Sequence, residues 1–90
     1  MRHRFSIVVE NKAGVLARIL GVLSARGMNV ESLEVDENSE ISTQHAGGTA
    51  VATGLALITL ITVGEEATLE RVAQKIGQQV RVLSVKREIA

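Results

Sequence analysis

Residues 4–35 read RFSIVVENKAGVLARILGVLSARGMNVESLEV, and the order of elements in this stretch decides the fold. Arg4 to Glu10 alternates: Phe5, Ile7 and Val9 fall on one face, Arg4, Ser6 and Glu10 on the other. That is the pattern of a strand buried on one side. Asn11-Lys12-Ala13-Gly14 breaks the alternation. Val15, Leu16, Ile19, Leu20 and Leu23 then recur at i, i+1, i+4, i+5 and i+8, a helical stripe. Gly27, after Arg26, fits the position that closes such a helix. Asn29 to Val35 predicts a second strand with a break of phase. Val30 lies on one parity and Leu33 and Val35 on the other, and a bulge near Glu31–Ser32 would reconcile them.

Residues 36–54 follow as a long loop, DENSEISTQHAGGTAVATG, without a clear period. Its length marks it as functional or mobile, and it leaves room for extra strand at Ile41–Gln44. Leu55 to Val63 predicts the third strand. It is apolar on both faces, as in a central strand covered on one side and contacted on the other. Glu65 and Glu66 place negative charge where a helix N-terminus favours it. Leu69, Val72, Ala73, Ile76 and Val80 continue at helical spacing, with Gly77 near the end, and Val80 to Ile89 predicts the fourth strand. The order is β-α-β-β-α-β. With right-handed crossovers this gives an α+β, ferredoxin-like domain over residues 1–90: a four-stranded antiparallel sheet with two helices on one face. The apolar third strand calls for cover on the other face, from a second copy or a partner protein.

Composition narrows the function. The 90 residues carry ten basic and ten acidic side chains, no Cys and a single aromatic residue, Phe5. A disulfide scaffold and a thiolate metal site are excluded, and the absence of Cys fits a reducing cytoplasm. Zero net charge and the lack of aromatics argue against nucleic-acid binding. The longest apolar run, Leu55–Val63, has nine residues, against about 20 for a membrane-spanning helix. Charge is unevenly placed: five acids and no base in residues 31–40, none of either in 41–64, and five bases against Glu88 in 71–90. The acidic run has the form of a solvated turn. His3 and His45 stand apart from acidic ligands in the sequence, and Ser24, Ser32, Ser42 and Ser84 lack a nucleophile motif. Gly47-Gly48 has no following Lys or helix to make a nucleotide loop. Neither catalysis, a metal nor a cofactor is expected of this chain.

The informative segment is Asn11 to Arg18, where the first strand meets the first helix. Free N–H groups at a helix N-terminus receive a carboxylate, and a glycine lets a ligand approach the backbone. An Asn side chain offers both donors and an acceptor, enough to meet the ammonium or the carboxylate of a free amino acid. Asn29 opens the second strand after Gly27, and a dimer could bring it to the first site. The plainer alternative makes Asn11 a helix cap and Gly14 a tight turn.

Here a resemblance becomes specific. Val9-Glu10-Asn11, Gly14-Val15-Leu16, Arg18, Arg26-Gly27 and Asn29-Val30-Glu31-Ser32-Leu33 resemble the pattern at the start of the regulatory (small) subunit of acetolactate synthase, also called acetohydroxyacid synthase. Leu69-Glu70-Arg71-Val72 and Val80 to Val85 fit more loosely. The resemblance implies an ACT domain that binds a branched-chain amino acid, typically valine, between two copies. It implies feedback control of a separate acetolactate synthase catalytic subunit. Carried over residue by residue, the ligand would meet Asn11, Gly14 and the N–H groups of Val15 and Leu16 from one chain, and Asn29 from the other. Ala13 stands where the family has proline, and Ala56 and Leu57 where its third strand has Ser-Arg. The expectation is a cytoplasmic, homodimeric, non-catalytic regulator. The alternative is a stand-alone ACT-like sensing or interaction module with a different partner.

Overall fold

The computed structural model describes residues 1–37, 41–45, 48–52 and 54–90, with the backbone alone described for 41–45 and 48–52. The elements run β1 (Arg2–Glu10), α1 (Val15–Ala25), β2 (Val30–Asp36), β3 (Ile41–His45), β4 (Gly48–Ala52), β5 (Leu55–Val63), α2 (Glu66–Gly77) and β6 (Val82–Ile89). The main sheet has four antiparallel strands in the order β2-β5-β1-β6, and β3 and β4 form a separate two-stranded sheet. Setting that hairpin aside, the order is the expected ferredoxin-like one. The long loop is corrected: 41–52 contain a hairpin, wider than the extra strand foreseen at Ile41–Gln44, while residues 38–40, 46, 47 and 53 lie outside the described residues. Among the described residues, no helix is long and apolar enough to cross a membrane.

The alternation in β1 sends Phe5, Ile7 and Val9 beneath the helices, where they are buried. Their partners on β5 are Leu60, Ile58 and Ala56, also buried on that side. Val15, Ile19 and Leu23 from α1 and Leu69, Val72 and Ile76 from α2 close the core from above. Among the described residues the opposite face carries no helix, and there Leu57, Thr59 and Ile61 of β5 are half-buried.

Local rules set the joints. Gly27 has φ of 67°, its N–H donates to the Ser24 carbonyl at 3.0 Å, and the Met28 N–H donates to the Leu23 carbonyl at 3.1 Å. This paired closure satisfies the last carbonyls of α1 and turns Met28 into the core. Glu66 in the first turn of α2 and Lys75 in the last oppose the ends of the helix dipole. The bulge expected in β2 is present between Val30 and Ser32. Val30 pairs with Thr62, Leu33 with Leu60 and Val35 with Ile58, so all three share the helix side. Thr62 is fully buried, and its hydroxyl donates to the Asn29 carbonyl at 2.7 Å, pinning the start of β2.

Two expectations are corrected. The fourth strand begins at Val82, not Val80; Val80 sits exposed in the turn and Arg81 has φ of 73°. His3 is not isolated in space. It is buried under α2 with Nε2 3.4 Å from one Glu66 carboxylate oxygen, while Arg87 approaches the other at 2.9 Å.

Two variants check this packing by urea or thermal unfolding. Leu60→Ala deletes a fully buried side chain at the centre of the sheet and should cost about 2–5 kcal/mol, a large part of a small domain's stability. Thr62→Val keeps the shape but removes the donor to Asn29, and should cost about 1–2 kcal/mol.

Candidate functional site

β1 leaves the sheet at Glu10 and the chain must turn up to begin α1 above it. The Asn11 N–H donates to the Gly54 carbonyl and the Lys12 N–H to the Glu10 carbonyl, each at 2.8 Å, fixing the first half of the turn. Gly14 occupies the N-cap position with φ of 85°, a left-handed conformation that side chains with a Cβ rarely adopt. A Cβ there would meet nothing within 4 Å, so the space in front of it is open. The helix has no side-chain cap. Asn11 therefore does not cap α1, and the plainer alternative survives only for Gly14 as a turn.

The N-terminus of α1 keeps donors to spare. The Arg18 N–H donates to the Gly14 carbonyl at 3.0 Å, and the Val15 N–H reaches the Lys12 carbonyl only at 3.4 Å. Among the described residues, the N–H groups of Leu16 and Ala17 have no acceptor. These are the orphan donors that make a helix start attractive to anions.

Beside this turn lies a cleft of about 240 Å³. Val9 to Leu16 form one wall, Val35 and Glu37 at the end of β2 form another, and Ala56 and Ile58 of β5 form the floor. Four expected site residues, Asn11, Gly14, Val15 and Leu16, thus meet at one place. Asn29 does not join them. Its carbonyl is held by Thr62, at the far end of β5 from Ala56. Six residue-to-residue steps along the strand separate Ala56 from Thr62, roughly 20 Å. No single chain can bring Asn29 to the cleft.

Several lining residues were missed in the sequence. Val35 became visible only once the β2 bulge set its face. Ala56, which stands out in the sequence as a departure from a polar pattern, lies in the floor. Glu37 was read as part of a solvated acidic run. Glu10 lines the cleft and is held from outside: its carboxylate is 3.1 Å from the Arg81 guanidinium, and its N–H donates to the Arg81 carbonyl at 2.8 Å. Among the described residues, the charges lining the cleft are thus Glu10, Lys12 and Glu37, with Arg81 behind the first.

Comparison with known proteins places this architecture. Residues 5–84 match the family described as AHAS small subunit-like ACT domain. The probable acetolactate synthase small subunit of Archaeoglobus fulgidus is 32% identical over 85 residues, covering 94% of this chain and 46% of the relative. The acetolactate synthase isozyme 3 small subunit of Escherichia coli is 34% identical over 85 residues, covering 94% and 45%. The chain spans about half the length of these curated relatives. Among solved structures, the acetolactate synthase small subunit of Thermotoga maritima superposes with a TM-score of 0.73 at 24% identity, over 97% of this chain and 47% of that one. The ACT domain from GTP pyrophosphokinase of Chlorobium tepidum superposes with a TM-score of 0.70 at 20% identity, over 98% and 97%. The last two share the fold. With the family match running from the core of β1 into β6, the chain belongs to the AHAS small subunit-like ACT domains.

Proposed function

We propose that this chain is a non-catalytic regulatory ACT unit that binds a branched-chain amino acid such as valine between two copies of itself, and so controls a separate acetolactate synthase catalytic subunit. The observation that carries this reading is the cleft at the start of α1. It combines unspent N–H donors with an apolar floor of Ala56, Ile58 and Val35. The donors suit a carboxylate, and the floor suits a short aliphatic side chain. Its volume, below the usual range for drug-sized ligands, fits one small molecule.

The second copy enters through the edge of the sheet. β2 is an edge strand of the four-stranded sheet, with β5 as its partner strand on one side and no strand on the other among the described residues. Leu33 and Val35, on its helix side, are 39% and 40% exposed. A two-fold axis near Leu33 would pair β2 antiparallel with its copy and continue the sheet. The start of one β2 would then face the end of the other. Asn29 of the second copy would arrive beside Val35 and Glu37, at the open side of the cleft. The separation that keeps Asn29 away within one chain is what this symmetry removes. The relatives' names, acetolactate synthase small subunits, support control of a catalytic partner, and residence with that partner in the cytoplasm is part of the same proposal.

A second reading, a stand-alone sensing module with another partner, draws on Ala56 and Leu57 in place of the family's Ser-Arg. Affinity capture from the native cell separates the two, since recovery of a thiamine-diphosphate enzyme supports the first.

Calorimetric titration with valine, leucine and isoleucine tests the ligand. Binding by at least one is expected, and no heat and no thermal shift with any of them overturns the proposal. Asn11→Ala and Asn29→Ala should each weaken binding about tenfold, with little change in unfolding temperature because both side chains are exposed. Leu33→Lys sets like charges across the two-fold axis. Sedimentation should show a dimer for the parent chain and a folded monomer for this variant.

A further inference from the structure

Arg81 is the only non-glycine residue with positive φ among the described residues. It stands at the turn from α2 into β6, a position where glycine is the ordinary choice because a Cβ crowds the neighbouring carbonyl. The turn is held on both sides. Gln79 Nε2 donates to the Lys75 carbonyl at 3.1 Å, and the Val82 N–H donates to the Gln79 carbonyl at 3.3 Å. The β1–β6 register shifts between Val8 and Val9, bringing Val82 opposite Val9. Arg81 is thereby aimed at Glu10, the last residue of β1 and the first of the ligand turn.

The contact has two points. The Arg81 carbonyl accepts the Glu10 N–H at 2.8 Å, and Nη1 donates to Oε2 of Glu10 at 3.1 Å. A glycine at 81 would keep the first and lose the second. What the arginine adds at this strained position is therefore charge, placed against the one carboxylate at the root of the turn. Among the described residues lining the cleft, Glu10, Lys12 and Glu37 sum to a formal charge of minus one, and Arg81 brings that sum to zero. A ligand carboxylate seeking the N–H groups of α1 would otherwise approach an uncompensated Glu10.

We propose that Arg81 is a positioning residue of the amino-acid site: it screens Glu10, so that the α1 N-terminus retains its attraction for the ligand carboxylate, while its carbonyl tethers the turn. The assignment rests on the amino-acid reading of the cleft. It makes the α2–β6 turn, remote in sequence from the ligand turn, part of the binding apparatus.

The test is calorimetric titration of the parent chain and four variants with valine, leucine and isoleucine, alongside thermal unfolding. Arg81→Gly and Arg81→Ala both lose the guanidinium, but only Gly relaxes the backbone. The Gly variant should therefore melt higher than the Ala variant, while both lose affinity equally, roughly threefold to tenfold for a half-exposed charge pair. Arg81→Lys should retain most of the affinity. The double change Arg81→Gly with Glu10→Gln should regain the parent affinity, because no charge is left to screen. A purely structural role would make affinity follow melting temperature and would give no regain in the double variant, and either result overturns the assignment. Parent-like affinity in both single variants overturns it as well, leaving the amino-acid site standing. If the parent chain itself binds none of the three amino acids, the amino-acid site falls and the role of Arg81 falls with it.

Discussion

β1 and β5 pair along nine residues, from Arg2 opposite Val63 to Glu10 opposite Leu55. These two central strands supply Phe5, Ile7, Val9, Ala56, Ile58 and Leu60 to a single buried face. A 90-residue chain has little core to spare, and here nearly all of it is this shared face with two helices laid over it. The helices have no other apolar surface of comparable size to bury against. Their position, and the position of both edge strands, follow from that pairing. A one-residue slip would turn either the Phe5 face of β1 or the Leu60 face of β5 away from the helices and leave α1 and α2 half a bed.

The candidate site is a consequence of the same pairing. Glu10 and Leu55 end the ladder together, and the chain after Glu10 must climb from the sheet to the helix layer. Gly14 makes that climb abrupt, and α1 starts with donors pointing outward over the end of β5. Between the turn and the sheet, over the small Ala56 and over Ile58 of the floor strand, space remains. The cleft is therefore neither an insertion nor a loop feature. It is the gap left where a strand, a turn and a helix end meet, held in shape by Asn11 on Gly54 and Glu10 on Arg81.

Much of this was legible in the sequence because its signals are local. The alternation in β1, the helical stripe from Val15 to Leu23, the closing Gly27 and the β2 bulge are all read from neighbours a few residues apart. Asn11, Gly14, Val15 and Leu16 were found as a contiguous motif and are contiguous in space. What escaped was set by pairing over long range. The β3–β4 hairpin lies in a Ser-, Thr-, Ala- and Gly-rich stretch whose residue types do not alternate, so no period-two signal marks its strands. Val80 continued the α2 stripe and opened the predicted strand, yet belongs to neither. The left-handed turn that displaces it falls on an arginine, which carries no glycine signal. Glu66 beside His3, and Arg81 beside Glu10, join residues from opposite ends of the chain, which no spacing rule connects.

A ligand can shift an assembly only by binding one of its states better than another. A pocket within one chain whose shape did not change with the chain's pairing would bind equally well whatever the neighbours did, and would transmit nothing. The cleft is lined on one side by Val35 and Glu37 at the end of β2, and Asn29 is fixed at the far end of that strand by a buried threonine. On the proposed reading, full affinity requires two copies in one particular register, so ligand occupancy and pairing geometry stabilise each other by the same amount. Rigidity at both ends is then a requirement and not an incidental property. Thr62 must hold Asn29, and the Glu10–Arg81 contact must hold the turn, because slack at either end would let the ligand be satisfied in more than one arrangement and dissolve the difference on which control depends.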